Sequence, residues 1–199
     1  MKYIHLLMLT FILVAAAGCS RSFDYRISDS VFIEDGENPG LPIYSEKGYN
    51  SFGVYWGLTP WRSGSGHDPS KIVVKDDSCH IHLSGSIGGE LPYTLVLSLP
   101  DYIPGSFTEL LSLNGKDFDL SGTQCTLSMF SHNSRYDLKI LEGNFKIKRA
   151  QNLYVDKELQ GAVLSGIFSF KAIVGDEPAT FSKGRFDMRF GEENFYYLQ

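Results

Sequence analysis

Three segments in the second half of the chain obey one rule: glycine, Phe two residues on, an apolar residue two further on, then a basic residue. They are GNFKIK at 143–148, GIFSFK at 166–171 and GRFDMR at 184–189. Such alternation puts Phe and its apolar follower on one face of a strand and the basic residue on the other. Helical periodicity is scarce in the chain, and these segments read as successive amphipathic strands. The glycine permits a turn or a bulge at strand entry. The spacings between copies are unequal, 23 and then 18 residues, so the segments are successive strands of one sheet rather than a solenoid repeat.

Period-2 alternation also dominates the rest. Strands are expected at 51–56, 71–75, 79–84, 93–99, 123–130, 136–141, 145–149, 162–174 and 180–190. The last two read as a hairpin across GDEPA, residues 175–179. The one expected helix is a turn or two at 106–113, SFTELLSL. Residues 31–50 contain EDGENPGLP and read as loop with one short strand. A chain that is 14% aromatic, with 20 glycines, suits closely spaced strands and turns. The expected fold class is all-β, an antiparallel β-sandwich or barrel-like fold with at most one short helix. The expected organisation is a signal peptide at 1–18, a tether at 19–30 and a single all-β domain at 31–199.

The N-terminus reads as an address. Lys2 and the terminal amine make a short positive region, Leu6 to Ala17 is apolar except for Thr10, and Ala16, Ala17 and Gly18 are small. The apolar run is too short to span a bilayer, which takes roughly 20 residues. Ala16-Ala17-Gly18-Cys19 resembles the bacterial lipobox, although Leu is commoner at the position of Ala16. That resemblance implies cleavage before Cys19 and acylation of its thiol and new amine, a durable membrane anchor. Ser20 resembles the signal that sends lipoproteins on to the outer membrane. The next residues, Ser20-Arg21-Ser22-Phe23-Asp24, lack the acidic cluster of a surface-export signal. The expected location is the cell envelope at the outer membrane, with the periplasmic or surface face open.

From Cys19 on, 181 residues remain, enough for one domain with a substantial core. Loss of Lys2 takes the net charge from -5 to -6. An acidic chain argues against nucleic acid as a partner, which wants a basic surface. Cys79 falls in phase with Ile81 and Leu83, and Cys125 with Leu127 and Met129, so both should point inward. Either they pair as a disulfide, worth roughly 4 kcal/mol in the loop-entropy model, or they are small core residues. No CxxC is present to suggest a redox or zinc pair.

Candidate chemistry is sparse. His80 and His82 share a strand face opposite Ile81 and Leu83 and should face solvent. A metal would need further ligands from His132, Asp76 or Asp77, so no metal site and no cofactor is expected. The stretch YSEKGYNSFGVYWGLTPW gathers Tyr44, Tyr49, Phe52, Tyr55, Trp56 and Trp61. Such rings fill a core or stack on sugars. Phe52, Val54 and Trp56 alternate onto one face and leave Tyr55 for the other. Trp61 is expected to be exposed, because LTPWRSGSGHDP reads as loop. Tyr55, Trp56 and Trp61 are therefore the candidate ligand contacts. Lys139, Lys146, Lys148 and Arg149 are expected on the outer face of a hairpin around Gly143-Asn144. They read either as a solvated face or as a site for an anionic polysaccharide or lipid headgroup. There is no nucleophile elbow, zinc-protease helix or phosphate loop. Adjacent acids at Glu34-Asp35, Asp76-Asp77 and Glu192-Glu193 would point to opposite strand faces, so none is a ready catalytic dyad. A glycosidase, whose two carboxylates can be distant in sequence, has no further support.

LPIYSEKGYNSFGVYW near the start, LSGIFSFKAIVGDEPATFSKGRFDMRF and the terminal NFYYL resemble a family of small cell-envelope lipoproteins of unknown function from Bacteroidetes. The likeness runs from about Leu41 to Tyr197. It implies a lipid-anchored β domain and carries over no catalytic residue. The expected function is a non-enzymatic, lipid-anchored binding or accessory protein, with glycan a candidate ligand. The alternative is a structural or assembly lipoprotein that binds an envelope protein.

Overall fold

The computed structural model describes residues 29–64, 70–131 and 134–198. Cys19, the signal peptide, nearly all of the expected tether and His132 lie outside the described residues. Among them run twelve strands: β1 (Ser51–Trp56), β2 (Thr59–Arg62), β3 (Ser70–Lys75), β4 (Ser78–Ile87), β5 (Leu91–Pro100), β6 (Asp117–Asp119), β7 (Thr126–Ser131), β8 (Ser134–Asp137), β9 (Lys139–Val155), β10 (Glu158–Val174), β11 (Glu177–Phe190) and β12 (Phe195–Tyr197). The expected short helix is a 3₁₀ segment, Phe107–Leu113, whose Leu110 and Leu113 are buried.

All strands join one sheet in the order β6-β9-β10-β11-β1-β2-β4-β5-β7-β8, and β3 lies beside β4 with β12 beyond it. Every pairing is antiparallel except that of β12 with β3. The path ends at β6 and β8, which do not pair, so the sheet is not closed into a barrel. Yet inward residues from Phe52 on β1 to Phe190 on β11 share one hydrophobic cluster. The sheet therefore folds over its own inner face, as a sandwich does. The 3₁₀ segment packs against β9 and β10.

The repeated motif explains the centre of this core. Its three copies lie side by side: Phe145 faces Phe168, which faces Gly184, and Ile147 faces Gly166, which faces Phe186. Gly166 and Gly184 sit where a neighbour's ring must pass, and Gly143 lies against the Cβ and backbone of Phe170. A Cβ on Gly166 would lie 2.6 Å from Phe186, one on Gly184 2.6 Å from Phe168, and one on Gly143 2.4 Å from Phe170. Phe145 stacks on Phe168 at 5.3 Å and on Phe186 at 5.0 Å, and Phe170 on Phe181 at 4.3 Å. Burying each ring is worth about 2–3 kcal/mol, and each pair adds about 0.5–1.5 kcal/mol. The glycines thus allow close approach in mid-strand, of a ring at Gly166 and Gly184 and of the neighbouring strand at Gly143, rather than opening turns. A register shift does lie near each of them.

The expected hairpin around Gly143-Asn144 is not formed. β9 continues unbroken from Lys139 to Val155, and Gly143, with φ 152, faces Phe170 beside a register shift in the β9–β10 ladder. The expected strand at 136–141 is split between β8 and β9. Strands β2, β6 and β12 were not expected; β2 hides because Pro60 reads as a strand breaker.

Candidate functional site

Residues 29–50 fold back on themselves and cross the outer face of the sheet as a strap. Val31 donates to the Tyr49 carbonyl at 2.8 Å, and Ile43 to that of Ile33 at 2.8 Å. Leu41 is wholly buried. A Cβ on Gly53 of β1 would lie 2.4 Å from Pro42, so the strap sits directly on that strand.

Two outward side chains of GRFDMR, Arg185 and Asp187, hold the strap down. The Asp187 carboxylate, 1% exposed, accepts from the backbone N–H of Lys47 (3.2 Å), Gly48 (2.9 Å) and Tyr49 (3.1 Å) and from the Ser165 hydroxyl (2.7 Å). Arg185 pairs with Asp35 and donates to the Pro42 carbonyl at 3.3 Å. Hydrogen bonds from Asn38 and the Glu37 N–H, with help from Arg185, hold the Asp35 carboxyl below its usual range. Arg189 pairs with Glu193 and donates to the Gln160 carbonyl at 2.9 Å, and its own N–H donates to Asn50 at 2.8 Å. These polar groups are committed to structure.

Beyond the strap the same strands leave a groove of about 410 Å³, lined by Tyr44, Asn144, Lys148, Ile167, Ser169, Lys183 and Arg185 among others. Tyr44 belongs to the strap and forms one wall. Its ring lies 4.8 Å under the Lys148 ammonium, and its hydroxyl donates to Glu46 at 2.8 Å. Burial first, then the Glu46 carboxylate, pushes the Tyr44 phenol above its usual range. Ile167, 40% exposed, is an apolar patch on the floor. The far wall is Lys183. Ser169 falls where β10 and β11 shift register, between Phe168–Gly184 and Phe170–Phe181, so two residues of β11 oppose it. Lys183 occupies that bulge with φ 56, a left-handed conformation that costs a non-glycine residue about 1 kcal/mol.

The sequence-derived candidates fare unevenly. The expected exposure of Trp61 is overturned: it is 0% exposed, 5.3 Å from Phe52, 6.5 Å from Trp56 and 6.1 Å from Tyr93. Its strand β2 pairs on both sides, with β1 and β4, which draws the indole inward. Trp61 is therefore a core residue and no ligand contact. Tyr55 is half-buried and donates to the Pro39 carbonyl at 2.7 Å. Trp56 is half-buried, and its ring continues through Tyr93 at 5.9 Å to the exposed Tyr136, 6.4 Å further on.

The disulfide between Cys79 and Cys125 is not formed; both are buried free thiols. Cys79 faces Leu99 across β4–β5, and Ser98 faces Thr126 across β5–β7. The thiols thus flank Leu99, two strand spacings or roughly 9–10 Å apart, whereas a bridge needs Cα atoms within about 7 Å. Burial pushes the Cys79 thiol up to about 12 and Cys125 to about 11, the latter helped by Asp119.

His80 and His82 do share the outer face, but both are half-buried rather than open. His80 Nδ1 lies 2.8 Å from the Ser98 hydroxyl. Burial, then Lys71 and His80, lowers His82 to about 4. Among the described residues no group of three or more His, Cys, Asp or Glu could hold a metal ion. Of the lysine cluster, Lys146 is paired with Asp117 at 3.1 Å and only Lys148 reaches the groove.

Sequence reasoning missed Lys183 and the floor residue Ile167. A signal for Lys183 existed. Phe181 and Phe186 are both core residues five apart, an odd spacing that period-2 alternation cannot satisfy without one extra residue between them. The chain matches no protein-family model, no curated protein and no solved structure.

Proposed function

We propose that the protein is a lipid-anchored, non-catalytic binding or accessory module of the bacterial cell envelope, held at the outer membrane through acylated Cys19, with a glycan as its ligand. The observation that carries binding is the groove between the strap and the Lys183 bulge. It combines a tyrosine ring, an apolar floor at Ile167, and the amide and hydroxyl of Asn144 and Ser169. Such a mixture suits the apolar ring faces and polar edges of a sugar. The anchor rests on the lipobox-like Ala16-Ala17-Gly18-Cys19, and the likeness to Bacteroidetes lipoproteins supports the envelope setting.

The test is a glycan screen on the full-length protein in mild detergent. Saturable binding that Ile167→Asp abolishes is the expected result; no glycan retained at any concentration would sink the reading. Protease shaving of intact cells, beside a Cys19→Ala control, tests the anchor and reports its face. One observation favours a second reading, an assembly subunit that docks through a sheet edge. Strand β8 ends the sheet path and is exposed at every residue from Ser134 to Asp137. Its Arg135–Asp137 pair at 2.7 Å puts charge on that edge, which discourages strand addition.

A further inference from the structure

We infer that the groove selects an acidic saccharide and holds a carboxylate or sulfate of the ligand between Lys148 and Lys183. This names the ligand class of the site proposed above and rests on that reading. Three observations lead to it.

The first is charge. On a chain with 23 acids against 18 bases, no carboxylate is among the residues that line the groove. Of the acids nearby, Asp35 is paired with Arg185 and Asp117 with Lys146, while Glu46, which accepts from the Tyr44 hydroxyl and keeps its charge, stands outside the groove lining. Lys171, on the same outer face, is paired with Glu142 at 2.7 Å. Lys148 and Lys183 have no acid within ion-pair distance among the described residues.

The second is strain. The other non-glycine residues with positive φ, such as Asp76, Asp77, Asp101, Asp156 and Lys157, sit in the connections between strands. Among the described residues, Lys183 alone lies inside one. Glycine or asparagine is the usual occupant of that conformation. A lysine there, in a bulge that places it against the groove, is a backbone outlier of the kind that gathers at binding sites.

The third is shape. A volume of about 410 Å³ falls in the range of small-ligand sites, roughly 300–1,000 Å³. The groove is open and lies between the strap and the bulge, with room for an extended chain of sugar units and with Ile167 and Tyr44 to meet their ring faces, which favours glycan over a lone anionic lipid headgroup.

The experiment is calorimetry on the full-length protein in neutral detergent with oligogalacturonate, oligoalginate and sulfated dextran, each beside a neutral counterpart (methyl-esterified oligomer or plain dextran). At least one acidic polymer should bind ten-fold or more tightly than its neutral partner, with affinity that falls as salt rises. Lys148→Ala and Lys183→Ala should each weaken it about ten-fold, while both variants keep the parental melting temperature within a few degrees. Equal binding of acidic and neutral partners, or a double variant that binds like the parent, would overturn the acidic ligand and leave the glycan reading standing. Failure to bind any of the six would overturn the acidic ligand; the broader screen then decides the glycan reading. Binding to phosphatidylglycerol vesicles but to none of the polymers would overturn both.

Discussion

Strand β10 passes through two environments. From Gly161 to Gly166 every residue is buried; from Ile167 to Lys171 burial alternates, with Phe168 and Phe170 in and Ile167, Ser169 and Lys171 out. The inner face is the same throughout, one run of core side chains from Ala162 to Ala172. The difference lies outside. The strap covers the first half, where Val163 and Ser165 face Arg189 and Asp187, and leaves the second half open. Under the strap, the polar groups of Asp187, Arg185 and Ser165 are bonded into the fold. Past its edge, Lys148 and Lys183 hold no acid. A single sheet face thus divides into a structural half and a half free for a ligand.

The sharpest way to break that division is Asp187→Ala. It leaves three backbone N–H groups and the Ser165 hydroxyl without their acceptor under the strap, at a cost of about 3–5 kcal/mol. Denaturant unfolding reads it, and a loss below about 1 kcal/mol would mean that the strap is held elsewhere. Next comes pH, through the partly covered outer face of β4. The His82 pKa falls from 6.5 to about 4 on folding. The unfolded chain therefore takes up the proton first, and stability is lost as pH drops from about 6.5 through about 4. The loss approaches about 2–3 kcal/mol. His82→Gln should flatten that part of the profile, and equal slopes for parent and variant would contradict it. Smaller still is Lys183→Gly, which relieves the left-handed backbone and is partly offset by glycine's greater freedom when unfolded. It should stabilise by up to about 1 kcal/mol while weakening the ligand. A variant that melts lower than the parent would remove the strain argument. Smallest is Lys148→Ala, which should change stability by less than about 0.5 kcal/mol, because its side chain stands on the open half.

Much of the inner face was legible in the sequence. The Gly-x-Phe-x-apolar-basic copies, the inward phases of Cys79 and Cys125 and the hairpin across Gly175 all follow from period-2 alternation, which local sequence records. The outer face was not legible, because it depends on what lands on it. Arg189 and Lys148 hold the same place in the motif, yet one is buried beside Glu193 and the other lines the groove. Gly48 of the strap lies over Arg189, and Glu193 and the Gln160 carbonyl hold its guanidinium, whereas the strap leaves Lys148 open; the strap's path is set by contacts about 140 residues apart, such as Gly48 to Asp187. Trp61 misled for a related reason. Pro60 and the Gly/Ser run after it read as loop, while pairing with β1 and β4 made a strand. The Cys79–Cys125 pairing failed on strand order, since inward phase says nothing of the strand that lies between.

Amide chemical-shift mapping of the full-length protein during titration with the tightest-binding acidic oligosaccharide tests the division of the sheet face most directly. Shifts should be confined to residues 144–148, 167–169 and 182–185 and to Tyr44, with Gly48, Ser165 and Asp187 unmoved beneath the strap. Shifts centred on Trp56, Tyr93 and Tyr136, or spread through the strapped half, would contradict it.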